Sequence, residues 1–300
     1  MKNERISDKF SYPAHYVDVL GSKMHFIEEG TGDPILFLHG VPTSCYVWRN
    51  VIPHLTSLGK CIAPDLIGFG KSAKPNIDYS IFDHIKYIEK FIEVMKLKNI
   101  TFIMHGWGSI IGFDYAMRHE NNCKGLVFYE AFLRKLHENE NSLPLQEQVA
   151  LLQAGTSDLA ADATYFVDRV IAQGAMRELS EEEMANYREP FLHEGTSKPI
   201  LQYLKEIPVG NGKTQIEQLI IEYSKKLTHS KLPKLMLYSV PGFITTMATA
   251  IWAKEHLPNL EIVDVGEELH LAQESYPQLI GETISVWLQG VEQARMEMSK

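Results

Sequence analysis

The sequence predicts an α/β protein: a mostly parallel sheet covered by helices on both faces, with one helical insertion. Three observations carry that expectation. Short apolar runs alternate with helical patterns in the first third of the chain. From about Phe132 to Lys213 strand signals vanish and helical ones dominate. Strands then resume, and a helix closes the chain. Such alternation implies parallel strands joined by right-handed crossovers. Three hundred residues is long for one domain and short for two, so one core with an insertion is expected.

In chain order, "HYVDVL" and "KMHFIEEG" read as a hairpin around Gly21. "PILFLHG", "CIAPDL", "ITFIMHG" and "GLVFYEA" are short, apolar and bounded by turns, as buried parallel strands are. Between them, helical patterns cover Tyr46–Leu55, Ile81–Met95 and Trp107–His119. The insertion follows the fourth parallel strand and includes "LSEEEMANYREPF", in which Ser180 and Glu183 form a capping box. "KLMLYS" and "EIVDVG" then add strands, and "PQLIGETISVWLQGVEQA" is the last helix. The core is therefore expected at 1–131 and 214–300. Residues 132–213 would form a helical cap over the carboxyl ends of the strands, where open α/β sheets bind ligands.

Composition narrows the function. Hydrophobic residues make up 45% of the chain, enough for a sizeable core, and the net charge is −9. That charge argues against nucleic acid or an anionic membrane as partner. No apolar run approaches the roughly 20 residues of a membrane span, and the charged start "MKNERISDKF" is unlike a signal peptide. Three cysteines without framework spacing fit a reduced, cytoplasmic setting. Metal spacing of the HExxH or CxxC kind is absent, and "GFGKS" carries Asp65 where a phosphate loop needs its first glycine. No metal or other cofactor is expected.

The chemistry concentrates in a few stretches. "HGVPTS" (His39–Ser44) follows a strand and reads either as an oxyanion loop or as an ordinary turn capped by Thr43 or Ser44. The first reading gains from "MHGWG" (Met104–Gly108), which has the form of a nucleophile elbow with Met104 in place of its first glycine. The apex of that elbow is Gly106, which leaves an empty volume about the size of a carboxylate. Ser109, one helical turn on, is better suited to packing or capping. Trp107 offers an indole N–H to a bound anion, or simply packs under the cap. His270 follows the last strand, where a sheet enzyme of this order places its base. Glu130 ends an apolar strand, where an unpaired carboxylate is costly, so His270 is its natural partner. A purely structural His270–Glu130 hydrogen bond is the alternative.

Together these residues resemble the haloalkane dehalogenases, and with them the Renilla-type luciferases, of the α/β-hydrolase fold. The likeness runs from about Tyr16 to Leu288 through "GTGDPILFLHGVPTSCYVWRNVIPHL", "APDLIGFGKSAKP", "LSEEEMANYREPFLHEG" and "LHLAQESYP"; only "AFLRKLHENENSLPL" follows the pattern poorly. The resemblance implies an apex Asp that forms an alkyl-enzyme ester, a His–Glu pair that hydrolyses it, and a Trp and an Asn that bind halide. By position His270, Glu130 and Trp107 match, while the apex Asp is Gly106 and the halide Asn is Val41.

Without a nucleophile no ester forms. The backbone N–H groups of Val41 and Trp107 would still make an oxyanion hole. The space at Gly106 would take a water, or a carboxylate or carbonyl brought by the ligand. The expectation is thus a cofactor-free lyase, isomerase, cyclase or non-covalent hydrolase using His270 as base. A cofactor-free oxygenase is a variant of it. The alternatives are a pseudoenzyme that binds a small apolar ligand, and a dehalogenase inactivated at its nucleophile. Phe132, Leu133, Tyr165, Phe166, Ile171, Met176, Phe243 and Leu271 suggest an apolar chamber, without fixing which of them point inward. Substrate and oligomeric state stay open.

Overall fold

The computed structural model describes residues 6–136, 163–193, 195–208 and 213–298. The strands are β1 (His15–Val19), β2 (Ser22–Glu29), β3 (Pro34–Leu38), β4 (Lys60–Pro64), β5 (Ile100–Gly106), β6 (Cys123–Ala131), β7 (Lys234–Pro241) and β8 (Leu260–Glu268). They form one sheet in the order β1-β2-β4-β3-β5-β6-β7-β8. β1 and β2 pair antiparallel, as do β2 and β4; every other pairing is parallel. This is the expected α/β-hydrolase architecture, including the hairpin at Gly21.

Helix α1 (Ile81–Val94) and α2 (Trp107–Arg118) lie between strands of the first half. α3 (Ala163–Gly174), α4 (Glu181–Arg188), α5 (Lys198–Glu206) and α6 (Gln215–Leu227) fall between β6 and β7. α7 (Met247–His256), α8 (Ala272–Ser275) and α9 (Pro277–Met298) complete the described helices. The capping box expected at Ser180 and Glu183 is formed at the start of α4. Most of "AFLRKLHENENSLPL" lies outside the described residues.

Every residue of β5 and β6 is buried. That explains why both read as unbroken apolar runs: a central parallel strand has helices on each face and no side facing water. One expected helix is absent. Over Tyr46–Leu55 the chain makes two short 3₁₀ turns, Cys45–Trp48 and Ile52–His54. Pro53 lacks the N–H an α-helix needs there, and Ser44 caps the first turn by accepting from the Tyr46 N–H at 3.3 Å.

The β5–β6 register holds from Thr101 opposite Gly125 to His105 opposite Tyr129, then slips so that Gly106 faces Ala131. The extra residue is Glu130, whose φ of 48° is left-handed. A bulge re-aims the side chain it carries. Here the bulge turns a carboxylate out of the ladder at the carboxyl end of the sheet.

Candidate active site

The site is assembled where β5 meets α2. Gly106 is the last residue of the strand and the N-cap of the helix, with φ 50° and ψ −121°. The turn is tight because Gly108 allows it: a Cβ on Gly108 would lie 2.5 Å from the Leu38 carbonyl oxygen and 2.7 Å from that of His39. Ser109 braces the turn. Its Oγ donates to the Gly106 carbonyl at 2.6 Å and accepts from the Phe132 N–H at 3.0 Å. Both capacities are spent on backbone, as a packing and capping role requires.

A Cβ built on Gly106 would stand 3.4 Å from Gly40 Cα and 3.5 and 3.6 Å from Cε1 and Nε2 of His270. These are ordinary van der Waals separations, so the apex opens toward the imidazole. On its other side, His270 Nδ1 faces Glu130 Oε2 at 3.1 Å. The Glu130 carboxylate also accepts from the backbone N–H groups of Phe243 (3.0 Å), Ile244 (2.6 Å) and Thr245 (3.2 Å). With Nδ1–H donating to Glu130, Nε2 carries the lone pair on the apex side.

Burial sets the charges. It holds the imidazole of His270 well below the usual histidine range. It pushes Glu130 above the usual carboxylate range, against the pull of its three backbone donors. At neutral pH His270 is therefore an uncharged ring, and burial opposes its protonation unless a partner offsets the cost. Its position is fixed by the chain as well, since the N–H groups of His270 and Leu271 both donate to the Gly174 carbonyl at the end of α3 (2.8 and 2.7 Å).

The loop after β3 lies against the apex through Gly40. His39 Nδ1 donates to the Gly40 carbonyl at 2.7 Å, and its Nε2 accepts from the Leu66 N–H at 2.9 Å. Thr43 Oγ1 donates to the same carbonyl. Val41 is buried beside it. The Trp107 indole is buried and packs edge-on against Phe132 (6.2 Å) and Tyr203 (4.9 Å).

Of the chamber residues, Phe132, Leu133, Phe166, Ile171, Phe243 and Leu271 are buried, with the Phe243 ring 4.9 Å from that of His270. Tyr165 and Met176 are not part of that group: they are 50% and 56% exposed. α3 turns Phe166, Val167, Val170 and Ile171 inward, which places Tyr165 on its outer face.

Sequence reading missed three features. His105 precedes the apex, donates from Nε2 to the His270 carbonyl at 2.8 Å, and lies 4.4 Å from the His270 ring. Its place in "MHGWG" was the available signal. Tyr203 packs on Trp107 from a stretch with no motif of its own. Third is a buried ion-pair network. Arg49 binds Glu274 through both terminal nitrogens (2.5 and 2.7 Å) and Glu183 at 2.8 Å, and Arg177 reaches the same two carboxylates. No local spacing announces that Arg49 meets carboxylates 134 and 225 residues away.

One group of metal-type ligands comes together among the described residues: His25, Cys45 and Asp65, all buried. Asp65 already accepts from His25 Nδ1 and from the N–H groups of Cys45 and Lys71, each at 2.8 Å. The same residue that breaks the phosphate-loop pattern thus braces the loop after β4.

The family model for the alpha/beta hydrolase fold matches residues 33–236. A haloalkane dehalogenase of Sphingobium indicum is 36% identical over 91% of this chain and 94% of its own length; one from Mesorhizobium japonicum is 34% identical over 91% and 90%. The chain belongs to the haloalkane dehalogenase family of α/β hydrolases. Among solved structures, a haloalkane dehalogenase from Bradyrhizobium elkani superposes with a TM-score of 0.90 at 32% identity, covering 95% of this chain and 100% of that one. The family likeness extends to a coelenterazine h 2-monooxygenase of Renilla reniformis, 33% identical over 92% of this chain and 90% of its own. Its haloalkane dehalogenase relatives thus share this chain's fold along nearly its whole length.

Proposed function

We propose that this member of the dehalogenase family has left covalent dehalogenation and works as a cofactor-free enzyme on a small, apolar, carbonyl-containing substrate. His270 is the general base and acid, Glu130 orients it, and the backbone N–H groups of Val41 and Trp107 hold the developing oxyanion. The reaction is an elimination, isomerisation, cyclisation or direct hydrolysis by water, with no ester to the chain. Residues 132–213 act as the lid. The setting is the cytoplasm.

The observation that supports this reading most is the placement of one ring. His270 turns Nδ1 to a buried carboxylate and Nε2 to the space over a glycine apex. General-base help of this kind contributes roughly 10²–10⁴-fold, and an oxyanion donor about 10²–10³-fold, so useful rates need no covalent step. The test is a panel of small apolar esters, lactones and enolisable ketones. On whichever is turned over, His270→Ala lowers kcat/KM by about 10²–10⁴-fold. Rapid-quench mass spectrometry finds the chain at its unmodified mass. Turnover indifferent to His270 removes the proposal.

A second reading has specific support, because relatives 34–36% identical are named haloalkane dehalogenases and a Cβ at the apex would meet nothing closer than 3.4 Å. The chain is then a dehalogenase silenced at Gly106. That reading requires Gly106→Asp, alone or with Val41→Asn, to release halide from haloalkanes. Halide release at background in both variants leaves the first reading in place.

A further inference from the structure

We propose that the space over Gly106 is a carboxyl-binding subsite, and that the ligand of this protein is an apolar carboxylic acid whose carboxyl group bridges the start of α2 and His270 Nε2. The inference deepens the functional reading above and rests on its assignment of Gly106 and His270 to the reacting centre.

Backbone N–H groups and an imidazole lone pair meet there, and no side chain among the described residues answers them. α2 is twelve residues long and begins buried, with no side chain capping it. The first N–H groups of a helix have no partner within it and carry roughly half a positive charge, so a buried, uncapped start attracts an anion. His270 is buried, and among the described residues Nδ1 alone of its ring nitrogens has a side-chain partner, which leaves Nε2 for the ligand. The Trp107 indole, which follows the apex, is also buried and packs edge-on against Phe132 and Tyr203.

The acceptors nearby are already taken. The Gly40 carbonyl receives His39 Nδ1 and Thr43 Oγ1, and Glu130 is occupied by three backbone N–H groups and the imidazole. A water brought here carries two hydrogens and finds one open acceptor, Nε2. A carboxylic acid brings one proton for that lone pair and acceptor oxygens besides: its hydroxyl donates to Nε2 and its carbonyl oxygen takes the amide protons. Phe243 and Leu271, buried beside His270, make the rest of the ligand apolar.

The experiment is calorimetric titration of the full chain with acetate, butyrate, hexanoate and 1-hexanol. Hexanoate is expected to bind at least about tenfold tighter than 1-hexanol, with affinity rising about fourfold per methylene from acetate. Gly106→Asp places a second carboxylate in the subsite and is expected to abolish hexanoate binding while 1-hexanol still binds. His270→Phe, which leaves the apex untouched, is expected to remove the preference for acid over alcohol. Equal affinity for acid and alcohol, or no hexanoate binding, overturns the subsite. If turnover of neutral esters still depends on His270 in that case, the general-base reading stands without it. Hexanoate preference beside turnover indifferent to His270 supports the subsite and removes the base.

Discussion

Gly106 holds φ 50° and ψ −121°, a conformation that L-residues adopt only under strain. The elbow asks this of whatever residue occupies its apex, and glycine meets the demand without cost. Gly106→Ala should therefore destabilise the fold by about 1–3 kcal/mol in urea titration, although its Cβ meets nothing closer than 3.4 Å. An unchanged midpoint would show that the turn relaxes. His84 shows the other way in which a residue shapes the molecule. It is fully buried, and desolvation holds its imidazole down to about 3. Between pH 6.5 and 3 the unfolded chain carries that proton and the folded chain does not, so each unit of acidification favours unfolding. His84 thus costs up to about 1.4 kcal/mol per pH unit below 6.5. His84→Phe should flatten the fall of the urea midpoint between pH 6.5 and 5 relative to the parent chain; parallel curves would place its proton elsewhere. At this scale the sequence was legible where chemistry forced a partner. Glu130 ends an apolar strand, and His270 follows the last strand. It was not legible where only direction decides, as with Tyr165, because periodicity names the faces of a helix without saying which one meets the core; Met176 lies past the end of α3, where no period applies.

Between elements, two devices set the geometry of the site. The β6 bulge turns Glu130 out of the ladder, and the buried ion pairs tie the stretch between β6 and β7 to the loop after β3 close to His270. Arg49 belongs to the loop after β3, Arg177 and Glu183 to the stretch between β6 and β7, and Glu274 to α8, four residues beyond His270. Tyr187 donates to Glu274 as well. Two cations and two carboxylates balance, and removing one member strands a buried charge. Arg49→Met is accordingly expected to cost about 3–5 kcal/mol. Arg188→Met, which breaks the outer pairs to Asp168 and Glu181, should cost under about 1 kcal/mol. Equal losses in the two variants would mean that the inner network is no stronger than a surface pair. The capping box of α4 was readable because Ser180 and Glu183 are three residues apart. That the same Glu183 also pairs with Arg49 was not, since only the fold brings residues 134 apart in sequence together.

Across the whole molecule, burial is graded along the sheet. β5 and β6 are buried at every position, whereas β8 closes one edge with most of its residues half-buried or exposed. Among the described residues no helix is long and apolar enough to cross a membrane. The stability of backbone hydrogen bonds should follow the same grading, because opening an edge strand uncovers little apolar surface while opening a central one dismantles the core. Amide hydrogen exchange of the free chain is therefore expected to be slowest in β5 and β6, at the rate of global unfolding, and at least about tenfold faster in β8. An unpaired edge strand is also a template for another chain. If β8 proved as protected as β5 at high concentration and lost that protection on dilution, its edge would be covered by a second copy. Protection independent of concentration would instead mean that exchange at the edge already requires the whole sheet to open, and the graded picture would fail.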